Sequence, residues 1–198
     1  MVAPLLLVVP ESLNMQPTDT NRIEFHPLTD SDESVLNALN HAPGVMTFLD
    51  WQPPSVDYLH TVFIPHHLQI AEAHPGYGLW LATFKPTGDC IGWFALRPDH
   101  PDDGDAQIGY RLFPEFWGLG LATEGALELL RYAFADLYPS RCVAITMAVN
   151  LPSRNVMERI GLRHMRTFHQ HFDDPLPGTE QGEVEYALTR DDWLLRRS

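Results

Sequence analysis

The spacing of apolar and polar positions changes period repeatedly along the chain, and each change marks an element. Ile23 and Phe25, with Pro27 after them, put side chains on one face of a strand over residues 22–28. Thr29 or Asp30 caps a helix in which Val35, Leu36 and Leu39 keep helical spacing, ended by Pro43-Gly44. The stretch 45–75 is aromatic, rich in histidine and interrupted by Pro53, Pro54 and Pro65, which predicts short helices over 55–63 and 66–74. Residues 78–84 and 90–96 read as strands joined through the turn Lys85-Pro86-Thr87-Gly88-Asp89, with Trp80 in the core. A further strand covers 105–113. The clearest helix spans 119–137, with Ala126, Leu127, Leu130, Ala133, Phe134 and Leu137 on one face and Glu124, Glu128 and Arg131 on another. A strand over 143–147, a helix over 153–160 stopped by Gly161, and a hairpin of 162–171 with 184–189 complete the pattern. The order predicts an α/β (α+β) fold, a mixed and mostly antiparallel sheet flanked by helices.

Length suits one domain, placed at 22–198, with residues 1–21 as an N-terminal extension and Met15 as an alternative start. The apolar run from Leu5 to Val9 is too short to span a bilayer. It also lacks the basic residues before it and the small residues after it that a signal peptide has. A strand or subunit contact is the other use for it, and no membrane association is expected. The 26 acidic side chains against 13 Lys and Arg, with Lys85 the sole lysine, give a formal charge of −13. Such a surface repels phosphate backbones, which argues against nucleic acid. It attracts cationic acceptors such as amines, or only keeps the protein in solution. Cys90 and Cys142 form neither a Cys-x-x-Cys pair nor a disulfide framework, so free thiols and a cytoplasmic location are expected.

Candidate chemistry concentrates at 117–124, Trp-Gly-Leu-Gly-Leu-Ala-Thr-Glu, between a strand and a helix. Gly118 and Gly120 let the backbone turn and approach a ligand, while the free amides of a helix N-terminus attract an anion. The spacing is neither Gly-x4-Gly-Lys-[Ser/Thr] nor Gly-x-Gly-x-x-Gly. From these residues alone, an anion site and a tight structural turn both stay open.

Three motifs in order then carry a resemblance: Ile108-Gly109-Tyr110-Arg111-Leu112 leading into the loop, the loop itself, and Asn150-x-x-Ser153-x-x-Val156-Met157-Glu158-x-Ile160-Gly161-Leu162. With the ending 186–193, they resemble the GNAT acetyltransferase superfamily and, within it, the RimJ/RimL-type branch. The resemblance implies acetyl-CoA as cosubstrate, held by Trp117, Gly118, Leu119, Gly120, Leu121, Ala122 and Thr123, with its pyrophosphate on the amides of Gly118 to Ala122. Its pantetheine would pair with a strand edge at Leu112 and Phe113, splayed open by a bulge. An amine acceptor, a small molecule or a protein N-terminus, would attack the thioester directly. Asn150 and Ser153 would lie beside the cofactor, with Ser153 a candidate proton donor; capping a helix is their simpler role.

The branch often has Glu at the place of Gln107, and an amide cannot take the ammonium's proton. Asp105, Glu183 and Glu185 are the remaining carboxylates, so Ser153, Asp105 and Glu185 are the catalytic candidates. Glu124 reads as a solvated first-turn carboxylate. Gln107 also favours a second reading, a catalytically silent CoA-binding or sensing module. His169 and His171 alternate ahead of Asp173 and Asp174, but no third ligand is fixed and no metal is expected. His60, His66, His67 and His74, with Trp51 and Tyr58, are candidates for the acceptor side. Homodimers are common in the branch.

Overall fold

The computed structural model describes residues 15–99 and 104–196. β1 (Ile23–Pro27), β2 (Gly78–Phe84), β3 (Asp89–Pro98) and β4 (Ala106–Leu112) form an antiparallel meander. β5 (Arg141–Met147), β6 (Arg163–Phe168) and β7 (Glu183–Thr189) extend it to seven strands in the order β1-β2-β3-β4-β5-β7-β6. The mixed, mostly antiparallel sheet expected from the sequence is the one that forms. Its parallel step is β4 beside β5, and that ladder holds two residue pairs, Ala106 with Cys142 and Gln107 with Val143. Beyond them the strands part, so the rest of β4 has no strand on that side. The bulge implied for β4 is not there: β4 keeps unbroken register against β3, and register shifts fall at Ala82/Thr83 between β2 and β3 and at His164/Arg166 between β6 and β7. Divergence of two strands, not a bulge, opens this sheet.

Alternation sorts the side chains onto two faces. On one, Trp80, Phe94, Leu96, Ile108, Leu112, Ala144 and Tyr186 pack with α4 (Leu121–Tyr132) and α5 (Leu151–Arg159). Gly125 lets α4 lie close to β3, because a Cβ there would stand 2.2 Å from the Phe94 ring. On the other face Leu79, Leu81 and Ala95 meet Leu36 of α1 (Glu33–His41) together with Leu59 and Ile64. The buried stripe of α4 differs by one position from the sequence reading. Leu127 is 45% exposed and Leu129 is fully buried. Leu127 joins the polar side with Glu124, Glu128 and Arg131.

Residues 56–73 are continuous rather than two separate helices. α2 (Val56–Tyr58) passes through a π turn at Leu59–Phe63 into α3 (Ile64–Ala73). Pro65 lacks an N–H and its ring would strike the carbonyl four residues back. The wider turn, in which the Ile64 N–H bonds the Leu59 carbonyl five residues back, gives that carbonyl room. β6 ends at Phe168, so His169 and His171 lie beyond the strand predicted to carry them.

Residues 15–21 of the expected extension run along α4. The Thr18 amide donates to Glu128 (2.8 Å) and the Thr20 hydroxyl to Glu124. The Leu5–Val9 run lies outside the described residues. Among the described residues, no helix is long and apolar enough to cross a membrane.

Candidate active site

The parting of β4 and β5 leaves a cleft of about 740 Å³ that reaches from the α4 N-terminus to the opposite face of the sheet. Gly118 (φ +73°) and Gly120 (φ +78°) both take the left-handed conformation, and Gly120 is the N-cap of α4. No side chain caps that end, and the first intrahelical bond is Glu124 N–H to Gly120 O (3.0 Å). The amides of Leu121, Ala122 and Thr123 therefore have no acceptor within the helix. An anion placed there meets free N–H groups and the positive end of the helix dipole. The loop is anchored from outside by Arg22, which donates to the Leu119 carbonyl (3.1 Å) and pairs with Glu124 (2.6 Å). Glu124 is thus tied to Arg22 and Thr20 rather than free in solvent. Nothing in the sequence pattern singled out Arg22.

The cleft is lined by Leu112, Trp117, Gly118, Gly120, Leu121, Ala122, Thr123, Asn150 and Ser153 among the expected cofactor residues. Leu119 and Phe113 are not among its walls. Leu119 is half exposed, and the Phe113 amide donates back to Ile91 on β3 (2.9 Å). Along an antiparallel strand the main-chain groups alternate sides, so Leu112 and Tyr110 face the gap and Phe113 does not. The Leu112 carbonyl already accepts the Trp117 indole N–H (2.8 Å). The edge open to a ligand therefore lies earlier on β4 than expected, towards Tyr110.

Tyr110 also brings a hydroxyl that the sequence reading passed over. Its oxygen is 3.1 Å from both the Ser153 hydroxyl and the Ser153 carbonyl. Burial pushes the phenol up to about 12, against a smaller opposing effect of the Ser153 bond, so it stays protonated near neutrality. Asn150 caps α5: its side-chain carbonyl accepts from Ser153 N–H (3.3 Å) and its amide donates to Thr146 (2.9 Å). Capping uses the Ser153 amide and leaves the hydroxyl for the cleft.

Asp105 and Glu185 are corrected by their surroundings. Each is about 6% exposed and neither lines the cleft. Asp105 is gripped by Arg141 (2.7 and 2.8 Å), and Glu185 by Arg166 (2.6 and 2.8 Å) with Arg141 at 3.6 Å. Both carboxylates are thus held in ion pairs outside the cleft, where an acceptor bound in it does not reach them. Gln107 does line the cleft, its carbonyl accepting from Arg97 Nε (2.7 Å). Among the described residues the walls hold no carboxylate.

Of the histidines and aromatics placed at the acceptor side, His67 alone lines the cleft. His60 is exposed beside Glu33, Trp51 reaches the Asp174 carbonyl (3.2 Å), and Tyr58 is half exposed. His67 is 7% exposed, packs on Phe63 with ring centroids 4.6 Å apart, and its Nδ1 has no partner. Burial, with smaller contributions from His66 and Arg97, lowers its imidazole to about 4. The folded chain thus favours the neutral ring. That preference stabilises fully above the ordinary 6.5 and is lost as pH falls from there towards about 4. Wild-type protein should lose about 2 kcal/mol more than His67→Gln between pH ~7 and pH ~4.5 in urea titrations. Equal losses would mean that His67 charges in the folded state.

Burial pushes the Cys90 and Cys142 thiols upward, away from the thiolate form, and Cys142 is wholly buried. Among the described residues no three His, Cys, Asp or Glu side chains converge.

The cleft brings together an unpaired strand edge, a free helix N-terminus and two hydroxyls. Residues 22–163 match the acetyltransferase (GNAT) domain. The chain belongs to the GNAT acetyltransferase family. Acetyl-CoA is accordingly its acetyl donor. The chain is 35% identical over 195 residues to the FsC-acetyl coenzyme A-N(2)-transacetylase of Aspergillus fumigatus, covering 92% of this chain and 80% of that one. Its fold resembles RimL, the ribosomal L7/L12 α-N-protein acetyltransferase solved with coenzyme A (TM-score 0.73, 19% identity, 88% and 98% of the two chains). It also resembles spermidine N-acetyltransferase of Vibrio cholerae solved with CoA and spermine (TM-score 0.72, 18% identity, 88% and 99%). At such identities these likenesses speak to fold alone.

Proposed function

We propose that the protein moves acetyl from acetyl-CoA to a primary amine by direct attack, as a RimJ/RimL-type member of its family. The observation that carries this reading is the through-going cleft. The residues of the α4 N-terminus and the Tyr110–Ser153 pair line it, and its other walls include Val45, Phe48, Phe63 and His67. In the reaction the amine nitrogen bonds the thioester carbonyl carbon and the C–S bond breaks. The nitrogen loses a proton to solvent water, the sulfur gains one from the Ser153 hydroxyl, Tyr110 passes its phenol proton to the serine oxygen, and solvent returns a proton to Tyr110. The family relative named for an N(2) amine supports nitrogen as the acceptor atom.

A second reading, a CoA-binding module without transfer, is favoured by the lack of a described carboxylate on the cleft walls. Both predict that acetyl-CoA at a hundred times its Kd adds ~2.7 kcal/mol of stability, a rise in Tm of about 5–10 °C. An unchanged melt would sink both. Thiol release with a panel of amines and N-terminal peptides separates them: stabilisation without release on any acceptor supports the module.

A further inference from the structure

The charge inside the cleft is opposite to that of the chain. Against a formal −13 overall, the charged side chains among its described walls are Arg97, Arg111 and Arg159. Arg159 is on α5, on the cofactor side of the sheet. Arg97 and Arg111 belong to the other face. Trp93, Ala95 and Arg97 alternate along β3, and Gln107, Gly109 and Arg111 oppose them on β4. The small pair Ala95 and Gly109 lies between the two arginines, and His67 is also on this side, on α3.

Neither guanidinium has an ion-pair partner among the described residues. Arg111 bonds the Asn40 side-chain carbonyl and stacks over Trp93 at 5.3 Å; Arg97 bonds the Gln107 carbonyl and feels Asp99 only through space. Burial without a counter-charge lowers Arg111 to about 10. For Arg111, desolvation against neutral amides alone is unfavourable, since buried charges are ordinarily paired; Arg97 is solvent-exposed and enters by its place on the cleft wall. The phosphates of acetyl-CoA, expected at α4 across the sheet, do not supply the missing anion. His67 Nδ1 adds an independent sign: a ring nitrogen, nine-tenths buried, on the same wall, with no partner.

We propose that the acceptor amine carries a carboxylate, which Arg97 and Arg111 bind beneath α1 and α3 with His67 Nδ1 as a further hydrogen-bonding group. The acceptor is then an amino acid-like molecule rather than a polyamine, reversing what the overall acidity suggests. A polyamine would place further positive charge against two unpaired guanidiniums. This rests on the acetyl-transfer reading and adds the substrate class to it.

The test separates recognition from transfer. CoA-saturated protein is titrated calorimetrically with N-acetylated amino carboxylates of increasing chain length, from N-acetylglycine to N-acetylaminohexanoate. The same series as carboxamides, and N-acetylspermidine, are the comparison. At least one carboxylate should bind about tenfold tighter than its carboxamide, since a guanidinium–carboxylate contact is charge-assisted. Arg97→Gln and Arg111→Gln should each bring that ratio towards one, Arg111→Lys should keep most of it, and CoA affinity should not change in any of them. The wild-type ratio decides even where Arg111→Gln fails to fold. Carboxylates that bind no better than carboxamides, or not at all, overturn the proposal, as does tighter binding of N-acetylspermidine. Carboxylate binding with the stated arginine dependence, but no acetylation of the parent amines, would uphold this inference and sink transfer. Acetylation of amines regardless of charge would do the reverse.

Discussion

Gly120→Val should lower the affinity for acetyl-CoA by about a hundredfold, because it strains the turn that aims the α4 amides. Space is not the obstacle: a Cβ at Gly120 meets only the end of the Arg22 side chain, 3.7 Å away. Conformation is. At φ +78° a β-branched residue is strongly disfavoured, and the turn relaxes by rotating its peptide groups. The amides of Leu121 and Ala122 then no longer converge on one point. Gly88 provides the control, since it has the same φ of +78° in the β2–β3 turn with nothing within 4 Å. Gly88→Val should lower Tm by a similar amount and leave acetyl-CoA affinity unchanged. Calorimetric titration of both variants checks this. Equal affinities in the two would remove the α4 N-terminus from cofactor binding.

The same contrast explains what was legible before any coordinates. Strands and helices followed their periods, since burial on one face of a strand or helix leaves a trace every second or every third to fourth residue. Pro65 misled because a proline rule assumes an α-helix, and a π turn relieves the clash behind it. Leu127 misled because one residue on a helix moves the side chain through a large angle, and leucine is common on both sides of that border. The loop at 117–124 was readable because glycine at positive φ leaves a chemical signature.

The acceptor half of the cleft left none. Arg97, Arg111 and His67 come from three elements, 14 residues apart at the closest on adjacent strands and brought together by the β3–β4 register. Whether a carboxylate is free also depends on its partners. Asp105 and Glu185 looked like bases on their strands, and only their contacts with Arg141 and Arg166 reveal that they are engaged. The formal charge misdirected for a related reason: it sums the surface, while the cleft samples three arginines.

Ser153→Ala should reduce kcat about a hundredfold while changing the KM for acetyl-CoA by less than about threefold, if its hydroxyl protonates the departing sulfur. The substitution is clean, since the α5 cap uses the Ser153 amide on Asn150 and not the hydroxyl. Tyr110→Phe keeps the ring against Phe94 and removes only the oxygen that sits 3.1 Å from the serine. Because the two hydroxyls act in series, the double variant should be no slower than the slower single one, and a double-mutant cycle should show strong coupling. A purely structural role for the pair predicts the opposite pattern: additive losses in Tm with kcat preserved. Tyrosine's pH behaviour adds a further check. With the phenol held up to about 12, kcat should not fall through the range near pH ~10 where an exposed tyrosine loses its proton. A fall there that Tyr110→Phe abolishes would mean that the phenol titrates as if in water, and the relay through Ser153 would have no protonated source.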